Sequence, residues 1–222
     1  MTPLTVAGLT VDERSLAVIL GFVGGAWGLV ADRIGARWPA HEDGSVRAVD
    51  WRTVVVALLG AASLAALPLR VADAGQVPLF GAYFLALVLL LATDLDQRLL
   101  PDLVTLPLIA ISLAAAAAGW SPLVAGNLGS ALLAAFAIPG FLFVVSIPFG
   151  SGAIGMGDLK LLVSVGLLTG LARSIAGLVV GALAAGAVIG VLLVLRRVTL
   201  RTYIPFGPFL IAGAFWAVLV HL

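Results

Sequence analysis

The 222-residue chain is 62% hydrophobic and 10% charged, with a mean hydropathy of +1.21 and a formal net charge of +1. Soluble domains carry about 25% charged residues, and disorder requires low hydrophobicity with high net charge. A soluble enzyme, a nucleic-acid binder and a disordered chain are therefore excluded, and a polytopic membrane protein remains.

A bilayer core of about 30 Å takes roughly 17–25 apolar residues per helix. Runs of this kind predict helices over residues 16–31, 53–69, 77–93, 103–119, 123–147, 159–172, 174–195 and 204–220. The fold class expected is all-α, a polytopic membrane protein with about eight transmembrane helices. The runs are continuous and rich in Ala and Leu, without the alternation of an outer-membrane barrel, so strands are not expected. Asp12 and Glu13 precede the first run, where a signal peptide carries basic residues. The fifth run contains Pro139-Gly140, a place to kink. Residues 1–222 read as one integral membrane domain, with 32–52 as a short loop.

Lys and Arg mark the cytoplasmic side of a membrane protein. With eight spans, one set of loops holds Arg33, Arg37, Arg47, Arg52, Arg98, Lys160, Arg196, Arg197 and Arg201, and the other holds Arg14, Arg70 and Arg173. The first set should be cytoplasmic, which places both termini outside.

Carboxylates at the ends of membrane helices are costly and point to function. One cluster is Thr93-Asp94-Leu95-Asp96-Gln97-Arg98-Leu99-Leu100-Pro101-Asp102, and the second is Gly155-Met156-Gly157-Asp158-Leu159-Lys160. Asp94 directly follows an apolar run, at the membrane boundary. Asp158 suits a helix N-cap, and the flanking glycines allow the close backbone approach that a peptide-admitting site needs. The chain has no cysteine, so disulfides, thiolate zinc sites and cysteine nucleophiles are excluded. Its two histidines, His41 and His221, lie far apart, which disfavours a histidine metal site or a Ser-His dyad. Two carboxylates sharing a proton can still hydrolyse a peptide, one as general base and the other as general acid. In such a pair, a carboxylate at a helix N-terminus, as at Asp158, would be the base, because the helix dipole favours its charged form.

The segments TDLDQRLLPDLVTLPL and GMGDLKLLVSVGLLTG resemble the two aspartate motifs of the type IV prepilin peptidases, a bacterial branch of the GxGD aspartyl proteases. The tail from Tyr203 through Pro205, Phe206, Gly207 and Pro208 is similar to that family's terminal IPFGP segment, and residues 16–39 resemble its first helix more weakly. The resemblance implies that Asp94 and Asp158 are the catalytic pair. It implies supporting or substrate-binding positions at Asp96, Asp102, Gly155, Gly157, Lys160, Pro205 and Gly207, and no metal. It further implies prepilin or pseudopilin substrates of pilus or type II secretion systems, whose basic leader is cleaved at the cytoplasmic face of the bacterial inner membrane. Asp94, Asp96 and Asp158 would attract that leader. Many members also N-methylate the product with S-adenosylmethionine and carry a paired-cysteine zinc insert after the first helix. Here about twenty residues without cysteine stand in its place. A peptidase without zinc or another cofactor is expected, with S-adenosylmethionine only if methyl transfer is retained. The partners expected are prepilins and lipid, not nucleic acid. A transporter using Asp94 and Asp158 as a proton or ion site is the alternative. Against it, both acids sit at helix ends rather than near the midplane, and no inverted repeat is visible.

Overall fold

The computed structural model describes residues 4–6, 9–40, 44–71, 74–124, 126–150, 154–199 and 206–220. Seven α-helices account for most of them: α1 Glu13–Gly35, α2 Trp51–Arg70, α3 Val77–Gln97, α4 Asp102–Ala117, α5 Leu128–Ser146, α6 Met156–Val194 and α7 Gly207–Leu219. A short antiparallel hairpin, β1 Leu4–Val6 with β2 Leu9–Val11, precedes them and pairs Thr5 with Thr10. Hydropathy gave no sign of it, because three-residue strands are too short to show alternation.

Five helices, α1, α2, α3, α5 and α6, are long and apolar enough to cross a bilayer, whereas α4 and α7 are shorter apolar helices. The sixth and seventh runs expected from the sequence both fall within α6, 39 residues long, which comprises two helices that meet at a kink. A straight helix of that length would extend about 58 Å. It is broken at Gly170, whose φ of 74° and ψ of 179° are not helical and whose positive φ favours glycine. The groups freed there are satisfied by hydroxyls. Ser121 Oγ donates to the Leu168 carbonyl (2.6 Å), Ser174 Oγ donates to the Gly170 carbonyl (2.6 Å), and Ser130 Oγ accepts from the Leu171 N–H (3.0 Å). Buried backbone groups at such a break require replacement partners.

The helices form two compact units, one of Met1–Val104 with Leu219–Leu222 and one of Thr105–Val218. In the first, α1, α2 and α3 pack together. Small residues permit the closest approach: a Cβ built on Gly24 would lie 2.1 Å from the Gly60 carbonyl oxygen, and one on Gly60 would lie 2.4 Å from that of Gly24. Helix α3 supplies the large interior side chains, Phe80, Tyr83, Phe84, Leu87 and Leu91, and Trp27 Nε1 of α1 donates to the Leu85 carbonyl at 2.8 Å. The outer face of α1 carries Phe22, 78% exposed, with Val18, Ile19 and Leu29. On α1, glycine and alanine face inward and large apolar groups outward, the arrangement of a helix solvated by lipid. In the second unit α5 packs on α6, where a Cβ on Gly166 would meet the Ala135 backbone nitrogen at 2.7 Å, and α6 approaches α7 at Gly177 and Gly213.

Candidate active site

Asp94 lies in the last turn of α3 and is 4% exposed. Its carbonyl accepts the N–H of Arg98, which closes the helix in the left-handed region with φ 58°. The helix thus ends one turn beyond the carboxylate, and the polypeptide turns away before Pro101 and α4. Asp102 sits exposed in the first turn of α4, where a carboxylate complements the helix dipole.

Asp96 is held differently. Its side chain is 1% exposed and accepts from Arg47 Nε at 2.5 Å and Arg52 Nη1 at 3.1 Å. Arg47 also pairs with Asp50 at 2.5 Å and with Asp32, which is fully buried at the end of α1. Asp32 further accepts from Arg33 and from Thr53 Oγ1, the latter at 2.7 Å. Asp50 caps α2 through the Arg52 N–H at 2.9 Å, and its own N–H donates to Thr53 Oγ1, which completes a capping box. Burial acts to lower the pKa of Arg47, but hydrogen bonds and the field of Asp32, with Asp96 and Asp50, outweigh it and hold the guanidinium above its ordinary value. Gln97 Nε2 adds bonds to the carbonyls of Pro39 (2.6 Å) and Gly35 (3.3 Å). The 36–50 connection is therefore fastened to the end of α3 by side chains.

Asp96, one of the three acids expected to attract a basic leader, thus has its carboxylate enclosed and paired with two arginines. The sequence reading counted Arg47 and Arg52 only for their sign and gave Asp32 no role beyond its place in the segment that resembles the family's first helix. The available signals were a carboxylate closing an apolar run and the Asp50-to-Thr53 capping-box spacing.

In the second unit Asp158 is half-buried in the first turn of α6. The N-cap is Gly155, not Asp158 as the sequence suggested, and Asp158 is the third helical residue. Its carboxylate accepts the Gly155 backbone N–H, the back-reaching half of a capping box. A Cβ on Gly155 would lie 3.2 Å from Asp158 Oδ2, so a side chain there would crowd the carboxylate. Gly157 and Lys160 are half-buried on the same turn. Gly207 is buried at the start of α7, and Pro205 lies outside the described residues.

Residues 81–220 match the model of the type IV leader peptidase family. The chain belongs to that family. Two proteins from Burkholderia pseudomallei, strains 1026b and K96243, each called a prepilin leader peptidase/N-methyltransferase, are 34% identical to it over 191 residues. The alignment covers 81% of this chain and 53% of each relative, so the chain spans about half the length of the curated relatives it matches. No solved structure matches. The family match includes both aspartate segments and the Gly207 segment, whereas the Asp32–Arg47 network lies before its first residue, Asp96 excepted.

Proposed function

We propose that this chain is an aspartic endopeptidase of the bacterial inner membrane that removes the basic leader from type IV prepilins or pseudopilins. Asp94 and Asp158 act as the carboxylate pair. The ionised member takes a proton from water as the water oxygen attacks the scissile carbonyl. The protonated member donates to the carbonyl oxygen, and the C–N bond then breaks as the amine takes a proton. The observation that carries this reading is the family match across residues 81–220, which contains both aspartates. The burial of Asp94 at the end of an apolar helix supports it, since a carboxylate there is retained at a cost. The direct test is release of the leader from a purified prepilin by the protein in liposomes. Proton flux without cleavage would instead favour the ion-coupled alternative.

The fold enters this proposal with about eight membrane crossings, the segments before and after Gly170 counted separately, and with the nine-residue basic set in the cytoplasm. A chain without cysteine suits single-cysteine labelling. Ala48→Cys should react with a membrane-impermeant maleimide only from the cytoplasmic side, and Gly126→Cys only from the opposite side. The reverse pattern would invert the topology.

The proposal leaves methyl transfer out. The relatives' name pairs it with leader cleavage, but this chain has no cysteine with which to build the family's zinc-binding insert. Mass spectrometry of the processed pilin should show an unmodified N-terminal amine when S-adenosylmethionine is supplied. A 14-Da increment dependent on this protein, the mass of one methylene, would restore the second activity.

A further inference from the structure

We propose that Arg47 is a positioning residue for Asp94, a loop guanidinium that fixes the end of α3 from the face opposite the reacting carboxylate. This rests on the assignment of Asp94 to catalysis. Successive α-helical residues are about 100° apart, so Asp94 and Asp96 project about 200° apart around α3. Whatever holds Asp96 therefore sets the rotation of the last turn from the side away from the Asp94 carboxylate. Arg47 holds it, and it also ties α3 to two other elements, through Asp32 on α1 and Asp50 at the N-cap of α2.

The interaction is not of the surface kind that contributes little. The Arg47 side chain is 12% exposed, and two of its carboxylate partners are almost wholly enclosed. A planar guanidinium reaches three carboxylates with a fork of fixed geometry, and a lysine ammonium offers only a point charge on a flexible stem. The contacts also contain redundancy. Without Arg47, Asp32 keeps Arg33 and Thr53, Asp96 keeps Arg52, and Asp50 keeps the Arg52 N–H. Loss of Arg47 thus leaves each carboxylate a partner and removes a side chain that ties all three together.

The experiment measures leader cleavage of a purified prepilin by the full-length protein in liposomes, per folded molecule, for Arg47→Met, Arg47→Lys and Asp94→Asn. A misplacement near 1 Å costs up to about 100-fold in rate. Arg47→Met should therefore lower kcat by about 10- to 100-fold and leave KM within about twofold. Arg47→Lys should recover part of that loss, and it carries the test if the methionine variant does not accumulate. Wild-type kcat per folded molecule with a lowered melting temperature would make Arg47 a merely structural residue and overturn the proposal. A raised KM at unchanged kcat would also overturn it, since Arg47 would then serve substrate binding. Wild-type cleavage by Asp94→Asn would sink the catalytic assignment instead, whatever Arg47 does.

Discussion

Replacement of Asp94 or Asp158 by asparagine should lower leader cleavage by about 10²–10⁴-fold, the range that a positioned proton donor or acceptor supplies. Asparagine keeps the shape of the side chain and cannot exchange the proton. At position 158 its amide oxygen can still accept the Gly155 N–H that the carboxylate accepts, so the first turn of α6 keeps its cap. At position 94 the backbone bond that closes α3 involves the carbonyl rather than the side chain. Both variants should therefore fold. Initial rates of leader release, normalised to monodisperse protein, measure the effect. A variant within tenfold of the wild type would remove that aspartate from the pair. The two losses should not multiply, because removal of either member disables the same step.

The largest effect on stability should come from Gly24→Ala. The added Cβ would stand 2.1 Å from the Gly60 carbonyl oxygen, whereas real Cβ atoms essentially never come within 3.0 Å of another heavy atom in this way. The obstacle is backbone, so no rotamer change relieves it, and α1 and α2 must separate by about 1 Å or more. Their packing is the main attraction between lipid-solvated helices, where no hydrophobic term draws them together. Overpacking of a well-fitted contact costs about 1–3 kcal/mol and sometimes more, and this site should lie at or above the top of that range. Gly81→Ala is the matched control. A Cβ there has open space, and alanine gains up to about 1 kcal/mol of helix propensity. Equilibrium unfolding in mixed detergent micelles separates the two. Equal responses would show that the α1–α2 contact does not limit stability.

The helices were legible because membrane solvation makes nearly every residue of a span apolar, and each of the eight predicted runs overlaps a helix of the described residues, the sixth and seventh sharing α6 on either side of Gly170. Their ends were less legible. The sixth and seventh runs divide near Arg173 in the sequence, and the backbone divides them three residues earlier, at Gly170. One glycine among 26 does not announce its φ angle. The carboxylates were found because charge is rare in such a chain, but their partners were not. Arg47 and Asp96 lie 49 positions apart, and a tally of basic residues records which side of the membrane they favour, not which acid they meet. Asp158 was placed as a cap because Asp commonly is one. The structure gives that position to Gly155 and turns the carboxylate back toward it.

The break at Gly170 has a consequence for how sequence change spreads along α6. In an unbroken helix, deletion of one residue rotates everything beyond it by about 100° and shifts it by 1.5 Å. At Gly170 the helical φ/ψ is interrupted, and Ser121, Ser130 and Ser174 take up the exposed peptide groups. The segment 156–169 is thereby indexed by its own packing rather than by the 24 residues that follow Gly170 within α6. Insertions and deletions in the distal segment can be absorbed at that joint, and the facing of Asp158 is insulated from drift in the rest of the longest helix of the chain.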